Sequence, residues 1–293
     1  MLIAAIAKQI PFPQEQLLLL QVAGLILVIA SAALYSRMLR RVSGSGGRVR
    51  NDLFGLPDTM LAVTMAVLFA LLLVMHWILP EPGRAPGTGQ SPAHAVAGFQ
   101  VLYNALGLAL PVAVILAFLI GRNISLPEIF GLRRVGFVHG IVLAGTLLVV
   151  LLPMFVLVTL IANEFLGGNA EQQDLIKIYQ EAAKTGKSSI LWQVVIAAVC
   201  IAPVTEEILF RGYFYPVFKR AIGPLPAAFG TSLFFAAIHN NALSFPGLTL
   251  LALALTLVYE RTGSLLVPML MHAWFNGVSL TYMWWVVTHN LMQ

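Results

Sequence analysis

Apolar runs about twenty residues long recur along this chain, and nothing constrains its fold more. A helix needs roughly 17–25 mostly apolar residues to cross a bilayer. Segments 16–36, 59–79, 99–120, 137–162, 190–210 and 265–287 have that length. Two shorter runs, 225–238 and 246–259, lie between the last two and must extend into flanking residues or be shielded by protein. The reading is an all-α, polytopic membrane helix bundle of about eight transmembrane helices. Composition agrees: 59% of residues are hydrophobic and only 10% charged, where soluble domains carry about a quarter charged.

The loops test the count of eight. Those after helices 1, 3, 5 and 7 hold Arg37, Arg40, Arg41, Arg48, Arg50, Arg122, Arg133, Arg134, Arg211, Lys219, Arg220 and Arg261. The opposite side keeps Lys8, Arg84, Lys177, Lys184 and Lys187, so the division is 12 against 5. Basic residues collect in cytoplasmic loops, which places both termini outside the cytoplasm in a multi-pass cell (inner or plasma) membrane protein. The net charge of +5 is small and scattered, and it argues against a nucleic-acid partner. One cysteine, Cys200, excludes an internal disulfide framework. The start, "MLIAAIAKQIPFPQEQ", lacks a basic n-region and a small-residue cleavage site and reads as an interfacial lead-in.

Residues 1–136 read as an N-terminal scaffold of helices 1–3. Its loops 42–50 and 80–92, rich in Gly, Pro and Ser, are expected to be flexible. Residues 137–293 form the second part. Within it, segment 169–187 spaces Leu175, Ile176 and Tyr179 like one face of a short amphipathic helix on the outer membrane surface. His76 and His139 lie near helix ends and read as interfacial.

Ionised groups at mid-membrane cost roughly 2.5–3.5 kcal/mol each, so they need a cavity or a partner. The last four helices carry Glu206, Glu207, Arg211, His239, His272 and Asn276. Glu207 and Arg211 are four apart and can pair on one helix face. Phe235 and His239 share a face, as do His272 and Asn276. Glu206 lies about 100° around the helix from Glu207, so one carboxylate can be held by Arg211 while the other faces a cavity. A carboxylate in apolar surroundings can serve as a general base near neutral pH, with a histidine sharing its water. A second histidine and an amide could donate to an oxyanion. This is a kit for hydrolysing an amide without a covalent intermediate. Singly, each feature has a structural reading as an ion pair or interhelical glue; together, within about seventy residues, they favour a site.

Rival motifs are missing: there is no His-Glu-x-x-His, no Gly-x-Ser-x-Gly, and no aspartate in the last four helices. Cys200 and Ser232, each seven residues before a site residue, are weak candidate nucleophiles.

The ordered triplet resembles the CAAX protease and bacteriocin-processing family of intramembrane proteases (CPBP, or ABI; type II CAAX prenyl endopeptidase-like). Its parts are Glu206-Glu207…Arg211, Phe235…His239 and His272…Asn276, within "EEILFRGYFYPVFKRAIG" and "YERTGSLLVPMLMHAWFN", over roughly residues 188–285. The resemblance implies that Glu206 activates water with help from His239, and that His272 and Asn276 stabilise the oxyanion. Glu207 and Arg211 would organise the site, in a cavity of the C-terminal helices open toward the cytoplasm. No metal is expected; a zinc held by Glu206, His239 and His272 is the alternative. Substrates would be membrane-associated proteins or peptides, such as prenylated CAAX-type tails or bacteriocin-like precursors. Two other classes compete. A non-proteolytic immunity or scaffold protein would use the same cavity for a partner. A transporter with a Glu/His proton relay would need repeats in both halves, yet the polar residues lie in one half. Oligomeric state is left open by the sequence.

Overall fold

The computed structural model describes residues 14–78, 95–166 and 174–289. Among these residues it is helical, with no strand. In order, the helices are α1 (Gln14–Ser45), α2 (Leu56–Ile78), α3 (Ala95–Gly121) and α4 (Phe137–Leu166), then the short α5 (Asp174–Lys184). The second half holds α6 (Ser188–Ile222), α7 (Pro224–Ile238), α8 (Phe245–Thr262) and α9 (Leu266–Thr288). Four segments are long and apolar enough to cross a membrane: Gln21–Ser45, Leu56–Met75, Phe137–Leu166 and Ser188–Ile222. Only 17% of each one's most apolar stretch is buried, so these helices turn apolar surface outward. A bilayer, not a protein core, suits such surface. Each of the eight apolar runs is helical where described, but the other helices do not meet both length and hydropathy requirements.

The short run at 246–259 shows how it is accommodated. In α8 every residue from Ala254 to Glu260 is buried, so protein surrounds it where lipid would otherwise be. It stands between two clusters. One joins Phe54 and Ala62 to Ile115, Leu209, Tyr213 and Phe235. The other joins Tyr35 and Met38 to Leu148, Leu255 and Met271. The N-terminal helices therefore share their cores with the C-terminal ones. Gly263, at φ +67, ends α8 in the left-handed region and donates its N–H to Tyr259 O at 2.7 Å, the usual way a glycine closes a helix.

The basic loops are gathered at one end. Lys219 Nζ donates to Val49 O (2.9 Å), Arg220 to Asp52 O (2.6 Å), Arg122 to Leu53 O (3.1 Å), and Arg134 to both Arg48 O and Gly263 O (3.3 Å each). Arg122 also pairs with the buried Asp58. The loop charges implied this grouping.

One expectation is corrected. Segment 42–50 is not flexible: α1 continues to Ser45, and the rest is pinned. Val49 is buried, and its N–H donates to Glu260 Oε2 at 3.0 Å. Glycine-rich composition promises freedom only when nothing binds the backbone, and here a buried carboxylate binds it. The other glycine- and proline-rich loop, 80–92, lies outside the described residues. In the amphipathic segment, Leu175 and Ile176 are likewise outside the described side chains. Tyr179 is buried against Val194, with Leu280 and Met283 packed on the pair. This residue of α5 therefore packs on protein.

Candidate active site

The site is built on α6, which is not a regular helix. Two wide π-helical turns, Ala197–Ile201 and Ile208–Phe214, flank the α-helical segment Ala202–Glu207 that carries both glutamates. Such turns concentrate at functional sites. For the first turn the cause is local, because Pro203 has no N–H and its ring clashes with the carbonyl four residues back.

Glu207 is fully buried and organises its surroundings. Arg211 Nη1 donates to Glu207 Oε1 at 2.8 Å, and His272 Nδ1 lies 3.0 Å from the same oxygen. Arg211 spends its other donors on α8: Nη2 on Ala252 O at 2.9 Å and Nε on Thr256 Oγ1 at 3.4 Å. Its guanidinium also stands 4.8 Å from the centre of the Phe235 ring, a favourable cation–π distance. Taking a charge out of lipid or water is tolerated when each donor is used, and here each guanidinium nitrogen has a partner.

Glu206 is treated differently. It is 7% exposed, and its Oε2 is buried without a hydrogen-bond partner. His272 Nε2 lies 3.8 Å from that oxygen. His272 thus stands between the two carboxylates, with Nδ1 toward Glu207 and Nε2 toward Glu206. Hydrogen-bonding one ring nitrogen to a carboxylate fixes the ring and leaves the other nitrogen facing the site.

Phe235 separates the rings. It is fully buried, 4.7 Å from the His239 ring and 5.9 Å from the His272 ring, edge-on to the latter. His239 caps the end of α7, where Nδ1 meets Phe235 O at 2.7 Å. It is half-buried and makes no ion pair with either glutamate. Asn276 donates from Nδ2 to Ala198 O at 2.7 Å, inside the first π turn.

The structure therefore brings Glu206, Glu207, Arg211, His272 and Phe235 together, with His239 and Asn276 at the margins. The side chains pack closely where an open cavity was expected: Glu207 and Arg211 are 0% and 2% exposed. A groove of about 810 Å³ lies on the outward side of α9, lined by Trp274, Gly277, Tyr282 and Trp285 with Val199 of α6. It does not contain the glutamates. The weaker nucleophile candidates fall away from the site's chemistry. Cys200 is exposed, and Ser232 is buried with its hydroxyl donating to Ala228 O at 2.7 Å. His139 is exposed, and the His76 side chain lies outside those described. Among the described residues no three His, Cys, Asp or Glu are grouped to hold a metal ion. Sequence reasoning missed Thr256, whose signal was a hydroxyl inside an apolar helix, and the carbonyls of Ala198 and Ala252, which have no sequence signal.

Residues 188–278 match the family described as type II CAAX prenyl endopeptidase Rce1-like. This segment is an Rce1-like domain. The match agrees with membership of the CPBP family. It spans every candidate residue from Glu206 to Asn276. The family implies a membrane protease, a hydrolase acting on membrane-associated peptides or proteins. The apolar helices, together with this match over residues 188–278, fit a multi-pass membrane protein. The chain has no match among curated proteins or solved structures.

Proposed function

We propose that the chain is an intramembrane endopeptidase that hydrolyses a peptide bond near the membrane surface. The observation that carries this reading is the contrast between the two adjacent glutamates. Both bury an Oε2 without a donor, but Glu207 is held through Oε1 by Arg211 and His272, while Glu206 has no such hold and meets only the imidazole 3.8 Å from its Oε2. A buried carboxylate oxygen without a donor is costly, and such costs are kept where the group does chemistry.

In the reaction, Glu206 takes a proton from water as the water oxygen bonds to the substrate carbonyl carbon, with His239 helping to hold that water. Charge develops on the carbonyl oxygen and is met by donors from His272 Nε2 and Asn276. To donate there the His272 ring carries a proton on each nitrogen, and Glu207 accepts the one on Nδ1. The proton held by Glu206 then passes to the departing amine as the C–N bond breaks, which restores the carboxylate. Glu207, Arg211 and Phe235 hold the geometry, and no step requires a metal. Eight membrane helices, with the basic loops in the cytoplasm, bring substrates from that side; prenylated CAAX-type tails and bacteriocin-like precursors are the substrate classes.

The test compares host membranes carrying wild type or Glu206→Gln at equal levels, by mass spectrometry of protein termini. New termini seen only with wild type support the reading. Matching proteomes from abundant, folded protein sink it, and partner capture by the same helices becomes the reading to pursue.

A further inference from the structure

Pro203 and Asn276 meet at one carbonyl. In the first wide turn of α6 the Ala202 N–H bonds to Ala197 O, five residues back. The next bond in that ladder would run from residue 203 to Ala198 O, and proline has no hydrogen to give. Ala198 is buried, so its oxygen needs a donor from elsewhere. Asn276 supplies it across the helix interface at 2.7 Å. Four residues before Asn276 on α9, His272 makes the other fastening, to Glu207 at 3.0 Å. Two hydrogen bonds thus hold α9 to α6, one on each side of the Ala202–Glu206 segment.

We infer that Asn276 is a positioning residue: it fills the carbonyl that Pro203 leaves open and holds the glutamate-bearing turn against His272 before any substrate arrives. Its effect on turnover rests on the peptidase reading above; its effect on α6 does not. A residue that only stabilises an oxyanion has nothing to act on in the free protein. A residue that closes the Ala198 carbonyl acts there continuously.

The test uses the full chain in detergent micelles without substrate, following amide hydrogen exchange across residues 197–207. Asn276→Ala and Asn276→Asp, which cannot donate, should each speed exchange there about tenfold, while helices remote from the interface stay protected. Pro203→Ala combined with Asn276→Ala returns a backbone N–H to the same step of the ladder and should bring exchange back to within about threefold of wild type. Cleavage of whatever substrates separate wild type from Glu206→Gln should fall about tenfold or more in both single variants and stay low in the double variant, which restores the ladder but still lacks the Asn276 amide at the oxyanion. Unchanged exchange in Asn276→Ala overturns the proposal, as does faster exchange with wild-type cleavage. Faster exchange in Asn276→Ala that Pro203→Ala does not slow overturns the part assigned to Pro203. If wild type and Glu206→Gln give the same termini, the peptidase reading fails by itself, and the exchange data still decide whether Asn276 holds α6.

Discussion

Two of the buried ionic centres, one around Glu206 and Glu207 and the other around Glu260, differ in construction. At Glu260 both carboxylate oxygens are used. Oε1 accepts from Lys219 Nζ and from Tyr215 OH, each at 2.6 Å, and Oε2 accepts from Val49 N at 3.0 Å. Lys219 spends a further donor on Val49 O. This centre joins α6, α8 and the loop after α1, and it leaves no oxygen of that carboxylate over. At the other centre Glu206 Oε2 and Glu207 Oε2 have no partner, though both are buried. A fully paired buried charge behaves as a clasp. A buried charge with an acceptor to spare is poised to take a proton or a donor that is not part of the fold.

The same chemical change should therefore have opposite outcomes at the two centres. Glu206→Gln removes the base and should lower cleavage by about 10³-fold, while the apparent melting temperature in detergent stays level or rises, because an unpaired charge has left the interior. A fall in melting temperature comparable to that of a clasp variant would break the comparison. Glu260→Gln keeps the shape but strands the Lys219 ammonium. Breaking a buried pair on one side costs about 3–5 kcal/mol, so the melting temperature should drop sharply while the folded fraction still cleaves at the normal rate.

Arg211→Lys sharpens the first centre. One ammonium cannot reproduce contacts to Glu207, Ala252 and Thr256 together, and removing a charged hydrogen bond costs roughly 1.5–3 kcal/mol. Cleavage should fall about tenfold to a hundredfold through a looser Glu207 and His272, with a modest loss of stability. Gly47→Ala probes the second centre. Gly47 sits at φ +73, and a methyl group there would run into the Glu260 carboxylate. A cost of about 1–3 kcal/mol is expected, visible as a lower melting temperature with normal cleavage. If cleavage fell in proportion instead, the clasp and the site would be one unit.

The two centres were not equally legible in the sequence. Glu206, Glu207, Arg211 and His272 stood out because charge inside an apolar run is expensive, and helical spacing of four paired Glu207 with Arg211, which form an ion pair at 2.8 Å. Glu260, at the end of its apolar run beside Arg261, was not singled out in the sequence. Lys219 counted only toward topology. Burial is what changes their meaning, and burial depends on elements far apart in the chain: Val49 is 211 residues from Glu260. The flexible reading of 42–50 failed for the same reason, since Gly47 fits against a carboxylate that composition cannot reveal. His239 and Asn276 were found by spacing, yet their partners are backbone carbonyls, Phe235 O and Ala198 O, and no side-chain pattern names a carbonyl.

By itself the sequence determined that the chain is helical and membrane-embedded, that its basic loops share one end, and which polar residues lie within the apolar half. Hydropathy and helical period are local properties, so they can be read along the chain. Only the tertiary structure decided which carboxylate is satisfied and which is not, because that depends on where Arg211, His272, Lys219 and Tyr215 reach across α6, α8 and α9. The free energy of a buried charge is set by the donors around it, and those donors are assembled by packing rather than by sequence order.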